Sequence, residues 1–363
     1  MKKINIILLF CLIVICGIFW REFQSFFVAK LQINQEVRTV DSDKESIKPV
    51  KNIEKSVFIA YWNIPETHSE IEEYDKAIYF GVAPDKDGDL IDDLGLQNID
   101  KFVNISKNLQ AKLLTVRMFE EDVNFAIFED DQAQKELAIN VAKIIEEYDF
   151  DGVVLDLELG VIPTASVSSQ ITSFVKSFSS ALRIGTVPKR DSPVFLALYG
   201  DTFYRGRPYD VEKLEKYVDG IYIMAYDFHK SRGEPGPNFP LTRRSLGEGG
   251  PEYSYDFQQM IKDFSTIVPR DNITVIFGMY GYDWTLGQQG LPLKAAVAIP
   301  INEIDTSGAN TDPESKEKNI KYTDDEGYDH ILWYEDMESS DVKIEYLKSQ
   351  GIGSVGYWVW GYY

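Results

Sequence analysis

Phe150-Asp151-Gly152-Val153-Val154-Leu155-Asp156-Leu157-Glu158 follows a helical run over 131–148 and reads as a buried β-strand, with a glycine entry and then β-branched and apolar residues. Helix followed by strand points to a parallel sheet, whose strands are covered on both faces. Side chains alternate along a strand, so Val154, Asp156 and Glu158 share one face while Val153, Leu155 and Leu157 take the other. Two carboxylates therefore stand about 6.5 Å apart along one face of a buried strand. Burying unpaired charge costs several kcal/mol, and such a cost is kept where neighbouring groups hold the carboxylates for chemistry. An acid and a second carboxylate whose pKa values are pushed apart are what glycosidic cleavage needs. The plainer alternative is that Asp156 and Glu158 only close the strand and accept hydrogen bonds from backbone or arginine.

Working outward, strand-like runs recur at 57–63, 76–83, 112–119, 152–158, 194–200, 220–227, 273–282 and 354–360. Helical patterns lie between them at 96–111, 131–148, 166–182, 211–217, 255–267 and 339–350. Eight strands with helical connections predict an α/β fold, the TIM (β/α)8 barrel, with its active site at the C-terminal ends of the strands. Asp156 and Glu158 fall there on the fourth strand. The connection after the seventh strand is too long for a loop and carries strand-like pieces at 295–302, 319–323 and 330–336, with a turn at Asp324-Asp325-Glu326-Gly327. This predicts a small α+β insertion over about 285–336. Nothing helical follows the eighth strand before Tyr363, so the last barrel helix is expected to be missing.

The amino terminus differs from the rest. Lys2 and Lys3 precede an apolar run over 4–20, interrupted only by Asn5. No small-x-small cleavage site follows, and neither Cys11 nor Cys16 has the small residue before it that a lipoprotein site requires. The expectation is an uncleaved signal-anchor over 1–29, a polar linker over 30–56 and an exported barrel domain over 57–363, held to the membrane from outside the cytoplasm. Secretion after signal-peptide cleavage is the alternative. Both cysteines lie in the apolar segment, so the domain has no disulfides, which suits a bacterial envelope protein. A net charge of -21 over 363 residues argues against nucleic acid or an anionic lipid surface as partner and suits a neutral or zwitterionic substrate. The domain is taken as a monomer.

Two further strand ends carry chemistry-bearing residues. The sixth closes on Met224-Ala225-Tyr226-Asp227-Phe228-His229, the eighth on Gly356-Tyr357-Trp358-Val359-Trp360-Gly361. Together with the Asp156/Glu158 strand they resemble the strand-end motifs of glycoside hydrolase family 18, the chitinase-like family, over about 57–363. The full family pattern has another acid where Val154 stands, which removes the usual carboxylate neighbour of Asp156; the terminal Glu158 is intact. The resemblance implies a retaining, substrate-assisted mechanism on β-1,4-linked N-acetylglucosamine glycans, without cofactor or metal. Glu158 would be the general acid and then the base, Asp156 would orient the acetamide N–H, and Tyr226 would hold the acetamido oxygen. Asp227 would contact the sugar beside Met224, and Trp358 would floor the cleavage subsite, with Trp360, on the same face, the weaker candidate. Tyr61, Trp62, Tyr282 and Trp284 resemble family stretches that line the cleft, and the 229–241 loop resembles a cleft edge. Tyr280-Gly281-Tyr282-Asp283-Trp284 is similar to bacterial spore-cortex and wall hydrolases, so peptidoglycan is the alternative substrate, with glycoprotein N-glycans another. A non-catalytic glycan-binding protein is the reading from a different class, and Val154 is the feature that keeps it open.

Other signals carry less. Gly351-Ile352-Gly353-Ser354-Val355-Gly356 spells GxGxxG but precedes a strand, where a dinucleotide fingerprint follows one. Asp85-Lys86-Asp87-Gly88-Asp89 lacks the remainder of a calcium loop and reads as a turn. His68, His229 and His330 show no metal-ligand spacing, and no nucleophile elbow is present.

Overall fold

Eight strands close a barrel: β1 (Glu54–Ala60), β2 (Lys76–Val82), β3 (Ala111–Met118), β4 (Gly152–Leu157), β5 (Val194–Tyr199), β6 (Gly220–Ala225), β7 (Ile273–Gly278) and β13 (Ser354–Trp358). Their order round the barrel is β1-β13-β7-β6-β5-β4-β3-β2, every pairing parallel. The structure, a computed structural model, describes residues 47–184, 192–244 and 253–363, and Lys48–Tyr363 forms one compact unit. The expected signal-anchor and most of the linker lie outside the described residues; among these, no helix is long and apolar enough to cross a membrane.

Strand alternation sorts the side chains into two layers. Phe58, Ile78, Val154, Tyr222, Met224 and Ile276 fill the barrel interior. Val57, Tyr79, Leu114, Val153, Leu155 and Ile223 point outward under the helices. The helices are α1 (Leu94–Gln97), α2 (Ile99–Ser106), α3 (Glu121–Glu129), α4 (Asp131–Glu147), α5 (Ala165–Ile184), α6 (Val211–Leu214), α7 (Phe257–Ser265) and α8 (Met337–Ser349). Helix α4 starts where Asp130 Oδ1 accepts the Gln132 N–H at 2.7 Å, and α8 where Asp336 forms a capping box with Ser339. Helix α3 is absent from the sequence reading because its apolar residues Val123, Phe125 and Ile127 alternate with period two, like a strand. Asn124 anchors it by donating to Met118 O at 2.9 Å, at the end of β3.

The seventh expected strand, 273–282, is two strands. Gly278 closes the barrel pairing opposite Trp358, and from Tyr280 the chain enters β8 (Tyr280–Leu286), which leaves the barrel. Strand β8 pairs antiparallel with β9 (Val297–Pro300) and β12 (Asp329–Tyr334), and beyond β12 lie β11 (Lys318–Thr323) and β10 (Asn310–Thr311). The insertion is therefore a five-stranded sheet that begins near 280; between β8 and β12 the only helical pieces are single 3-10 turns, so the expected α+β character is corrected to β. On the outer side of β13, Tyr357 packs against Tyr363 at 5.7 Å between ring centroids, and the Tyr363 and Tyr74 hydroxyls meet at 2.7 Å. Asp85-Lys86-Asp87-Gly88-Asp89 is a turn: Asp85 Oδ1 accepts the N–H groups of Asp87 and Asp89, each at 3.0 Å.

A buried charge network joins insertion and barrel. Lys343 on α8 is fully buried and pairs with Glu317 at 2.8 Å and with Glu335, both also fully buried. Glu317 in turn accepts the backbone N–H groups of Asn238 and Phe239, at 2.5 and 2.8 Å. The loop after β6 is thus held by charge from two strand ends of the insertion and one helix.

Candidate active site

The C-terminal ends of the barrel strands enclose a cavity of about 300 Å³, lined among others by Asp156, Glu158, Met224, Tyr226, Asp227 and Trp358. The parity argument for β4 holds: Val154 and Asp156 face the barrel interior. Asp156 is only 7 % exposed, with Oδ1 buried and without a hydrogen-bond partner. Burial first, and then the neighbouring Glu158, push its pKa well above the usual carboxylate range. With Val154 below it instead of an acid, Asp156 has no carboxyl partner on the floor of the barrel. Glu158, less buried, is pushed up by burial and by Asp227, and drawn back by the Tyr199 hydroxyl and by Lys230 and Arg207. Two acids in one cavity, with unequal partners, is the arrangement that keeps a proton available for transfer.

Tyr226 follows β6, and burial, then Asp156 and Glu158, hold its hydroxyl protonated and able to donate. Asp227 adopts φ 60°, the left-handed region that a non-glycine residue enters at a cost of roughly 1–2 kcal/mol. Three partners hold it there. Asn238 Oδ1 accepts its backbone N–H at 2.7 Å, Tyr282 donates to Oδ1 at 2.9 Å, and Tyr280 donates to the same oxygen. Trp358 closes the opposite wall, packed edge-on against Phe80 at 4.6 Å, and Trp62, 51 % exposed, stands at the rim near Phe119.

Three expected cleft residues take other places. Tyr61 packs into the outer layer under the Arg117 guanidinium, 4.6 Å from its ring. Trp284 is fully buried, its Nε1–H donating to Gly233 O at 3.1 Å, so its ring closes the insertion onto the 229–241 loop. Trp360 does not share the face of Trp358, because the strand ends at Trp358 and Val359 takes the interior position. Tyr282 reaches the site only through Asp227.

Sequence reasoning missed Tyr199, the last residue of β5, whose hydroxyl donates to Glu158 Oε2 at 2.5 Å. Its parity was readable: Ala197 pairs with Asp156 in the sheet, so Ala197 and Tyr199 face the same interior. Arg207 lies over the Tyr199 ring at 3.8 Å, which no spacing along the chain announces. Tyr199→Phe removes a hydrogen bond that favours ionised Glu158, so the alkaline limb of kcat/KM is expected to move to higher pH, with kcat falling about tenfold. A pH profile of the variant checks it; an unmoved limb would show that Tyr199 does not tune Glu158.

Among the described residues no cluster could hold a metal ion. A larger groove, about 820 Å³, runs along the insertion sheet beside Trp333; of its carboxylates Glu234, Asp312 and Asp329, Asp312 is tied to Arg244.

An eight-stranded parallel barrel with an Asp-x-Glu pair and a tyrosine converging at the C-terminal strand ends is a glycosidase type of site. Residues 36–362 match the family model Glycosyl hydrolases family 18, and the chain belongs to that family. It is 24% identical over 256 residues to the "Putative sporulation-specific glycosylase YdhD" of Bacillus subtilis, covering 68% of this chain and 55% of that protein. It is 22% identical over 291 residues to the "Cortical fragment-lytic enzyme" of Bacillus cereus, covering 77% of this chain and 63% of that one. The chain thus spans between half and two thirds of these relatives' length. The crystal structure of the Ostrinia furnacalis Group IV chitinase superimposes with a TM-score of 0.69 at 17% identity, covering 85% of this chain and 93% of that chain, a likeness of fold.

Proposed function

We propose that the protein is a glycoside hydrolase that cleaves β-1,4-linked N-acetylglucosamine glycans with retention, the substrate's own acetamido oxygen serving as nucleophile. The observation that carries this is the convergence of Asp156, Glu158 and Tyr226 on one cavity walled by Trp358. Glu158 gives its proton to the glycosidic oxygen while the acetamido oxygen attacks C1, the C1–O bond breaks, and an oxazolinium ion forms. Tyr226 donates to the acetamido oxygen. In the free protein burial opposes charge on Asp156; with the substrate's acetamide N–H as hydrogen-bond donor and positive charge developing beside it, the carboxylate form is favoured, and it orients the acetamide and stabilises the oxazolinium ion. Glu158, now a carboxylate, takes a proton from the water that attacks C1 and opens the ring.

Family membership and the chitinase and cortex-lytic names among similar proteins support the reading. A glycan of the bacterial wall is favoured over chitin by the sporulation and cortex relatives, and an exported domain, as the apolar 4–20 segment suggests, is where such a glycan is met. The non-catalytic alternative is disfavoured by Glu158, retained and hydrogen-bonded by Tyr199.

The test is mass-spectrometric product analysis of chitotetraose beside the glucosamine tetramer. The acetylated tetramer should be cut and the deacetylated one left whole. Cleavage of both at similar rates would remove the acetamido group from the mechanism.

A further inference from the structure

The chain is strongly acidic, at -21, yet cations gather beside the catalytic cavity. A second cavity of about 460 Å³ is lined by Arg205, Lys230 and Arg232, with Glu234 as the carboxylate among its lining residues. It adjoins the first through one side chain. The Lys230 Nζ lies 5.4 Å from the Tyr199 ring, and the Tyr199 hydroxyl reaches Glu158 Oε2 at 2.5 Å. Arg207 covers the same ring. Asp201 serves two guanidiniums at once, Arg205 at 2.5 Å and Arg207 at 2.8 Å, so this pairing leaves one positive charge over. Lys230 and Arg232 have no ion-pair partner among the described residues. Lys230 is half-buried, and burial together with Arg207 pushes its pKa down against the opposing pull of Asp201 and Asp227. Tyr204 adds a flat wall: one face stacks on Tyr255 at 5.0 Å, and the residue remains 46% exposed.

A neutral sugar chain gains nothing from such a concentration of positive charge, whereas a carboxylate gains charge-assisted hydrogen bonds in a half-desolvated site. Resting on the glycosidase reading above, we propose that this cavity is a subsite for a carboxylate carried by the glycan, and that the substrate is an anionic N-acetylhexosamine polymer. The carboxylate of an O-lactyl ether on the sugar, or of a peptide arm attached to it, has the required chemistry. Lys230 supplies the inner contact, Arg232 the outer one.

The experiment compares three fragments of one wall glycan: peptide-free with its lactyl carboxylates, the same with those carboxylates amidated, and with peptide arms intact. kcat/KM is measured for the full chain and for its Lys230→Gln, Arg232→Gln and Lys230→Arg variants. Affinity is read separately by calorimetry in Glu158→Gln, so that binding is scored whether or not the glycan turns over. The carboxylate form should exceed its amide by tenfold or more in kcat/KM and in affinity, mainly through KM. Lys230→Gln should remove most of that ratio, Lys230→Arg should keep it, and 0.5 M salt should shrink it, since part of the cavity is open to solvent. A preference already present without peptide assigns the lactyl group; one that appears only with peptide assigns the arm. Equal binding of all three fragments would overturn the proposal even if all are hydrolysed. Preferential binding of the carboxylate without hydrolysis of any fragment would leave the subsite standing and remove the glycosidase reading instead.

Discussion

Glu158→Gln is expected to lose roughly 10³–10⁴-fold in kcat while keeping its affinity for glycan, because the amide fills the same volume but carries no transferable proton. The loss should exceed that of any other single substitution in the cavity. Glu158 acts in both halves of the reaction, as acid and then as base, whereas Asp156 and Tyr226 act on the acetamido group. Its position makes both roles possible: it stands above Asp156 on β4, buried enough to hold a proton, and touched by Tyr199, which favours the ionised form. The two influences oppose each other, which is what a group that must give and then recover a proton requires. Turnover in the variant close to that of the parent would exclude Glu158 as the proton donor.

The second large effect is on stability. Lys343→Met leaves Glu317 and Glu335 buried without their cation, and removing one member of a buried ion network costs about 3–5 kcal/mol. For a domain of this size that corresponds to a fall of about 5–8 °C in Tm. Adding Glu335→Gln should recover part of the loss, because one of the two uncompensated carboxyls is then neutral. Burial already pushes Glu335 up to about 8, against the pull of Lys343. Calorimetric scans of the single and double variants form the cycle. The activity of any folded fraction should fall as well, since Glu317 holds the backbone of Asn238 and Asn238 holds Asp227. A Tm within about 1–2 °C of the parent, well short of the shift expected for a broken buried pair, would show that water or a rearranged side chain replaces the ammonium.

The periods of the chain decide what can be read from it. The barrel strands are short apolar runs, most of them next to a helical pattern, and alternation alone places Val154 and Asp156 inward. The Met224–Asp227 and Trp358 strand ends are readable in the same way. Alternation fails where the strand stops. Continuing it past Trp358 puts Trp360 inside, and continuing it past Gly278 merges β7 with a strand of another sheet. Helix α3 hides because its apolar residues imitate a strand. Tyr199 is reachable from its parity, but a tyrosine at a strand end reads equally well as core. The cations beside Glu158 lie beyond reach for a different reason: Arg205, Arg207, Lys230 and Arg232 come from two loops, and a summed charge of -21 conceals where the positive charges gather.

The measurement that tests the central claim most directly is the anomeric configuration of the first product, followed by ¹H NMR in the opening minutes of chitotetraose hydrolysis. Attack by the acetamido oxygen followed by water inverts C1 twice, so the new reducing end should appear as the β-anomer and only later equilibrate. An α-anomer appearing first would mean a single displacement by water, and would contradict the proposed roles of Asp156, Tyr226 and the substrate's own N-acetyl group.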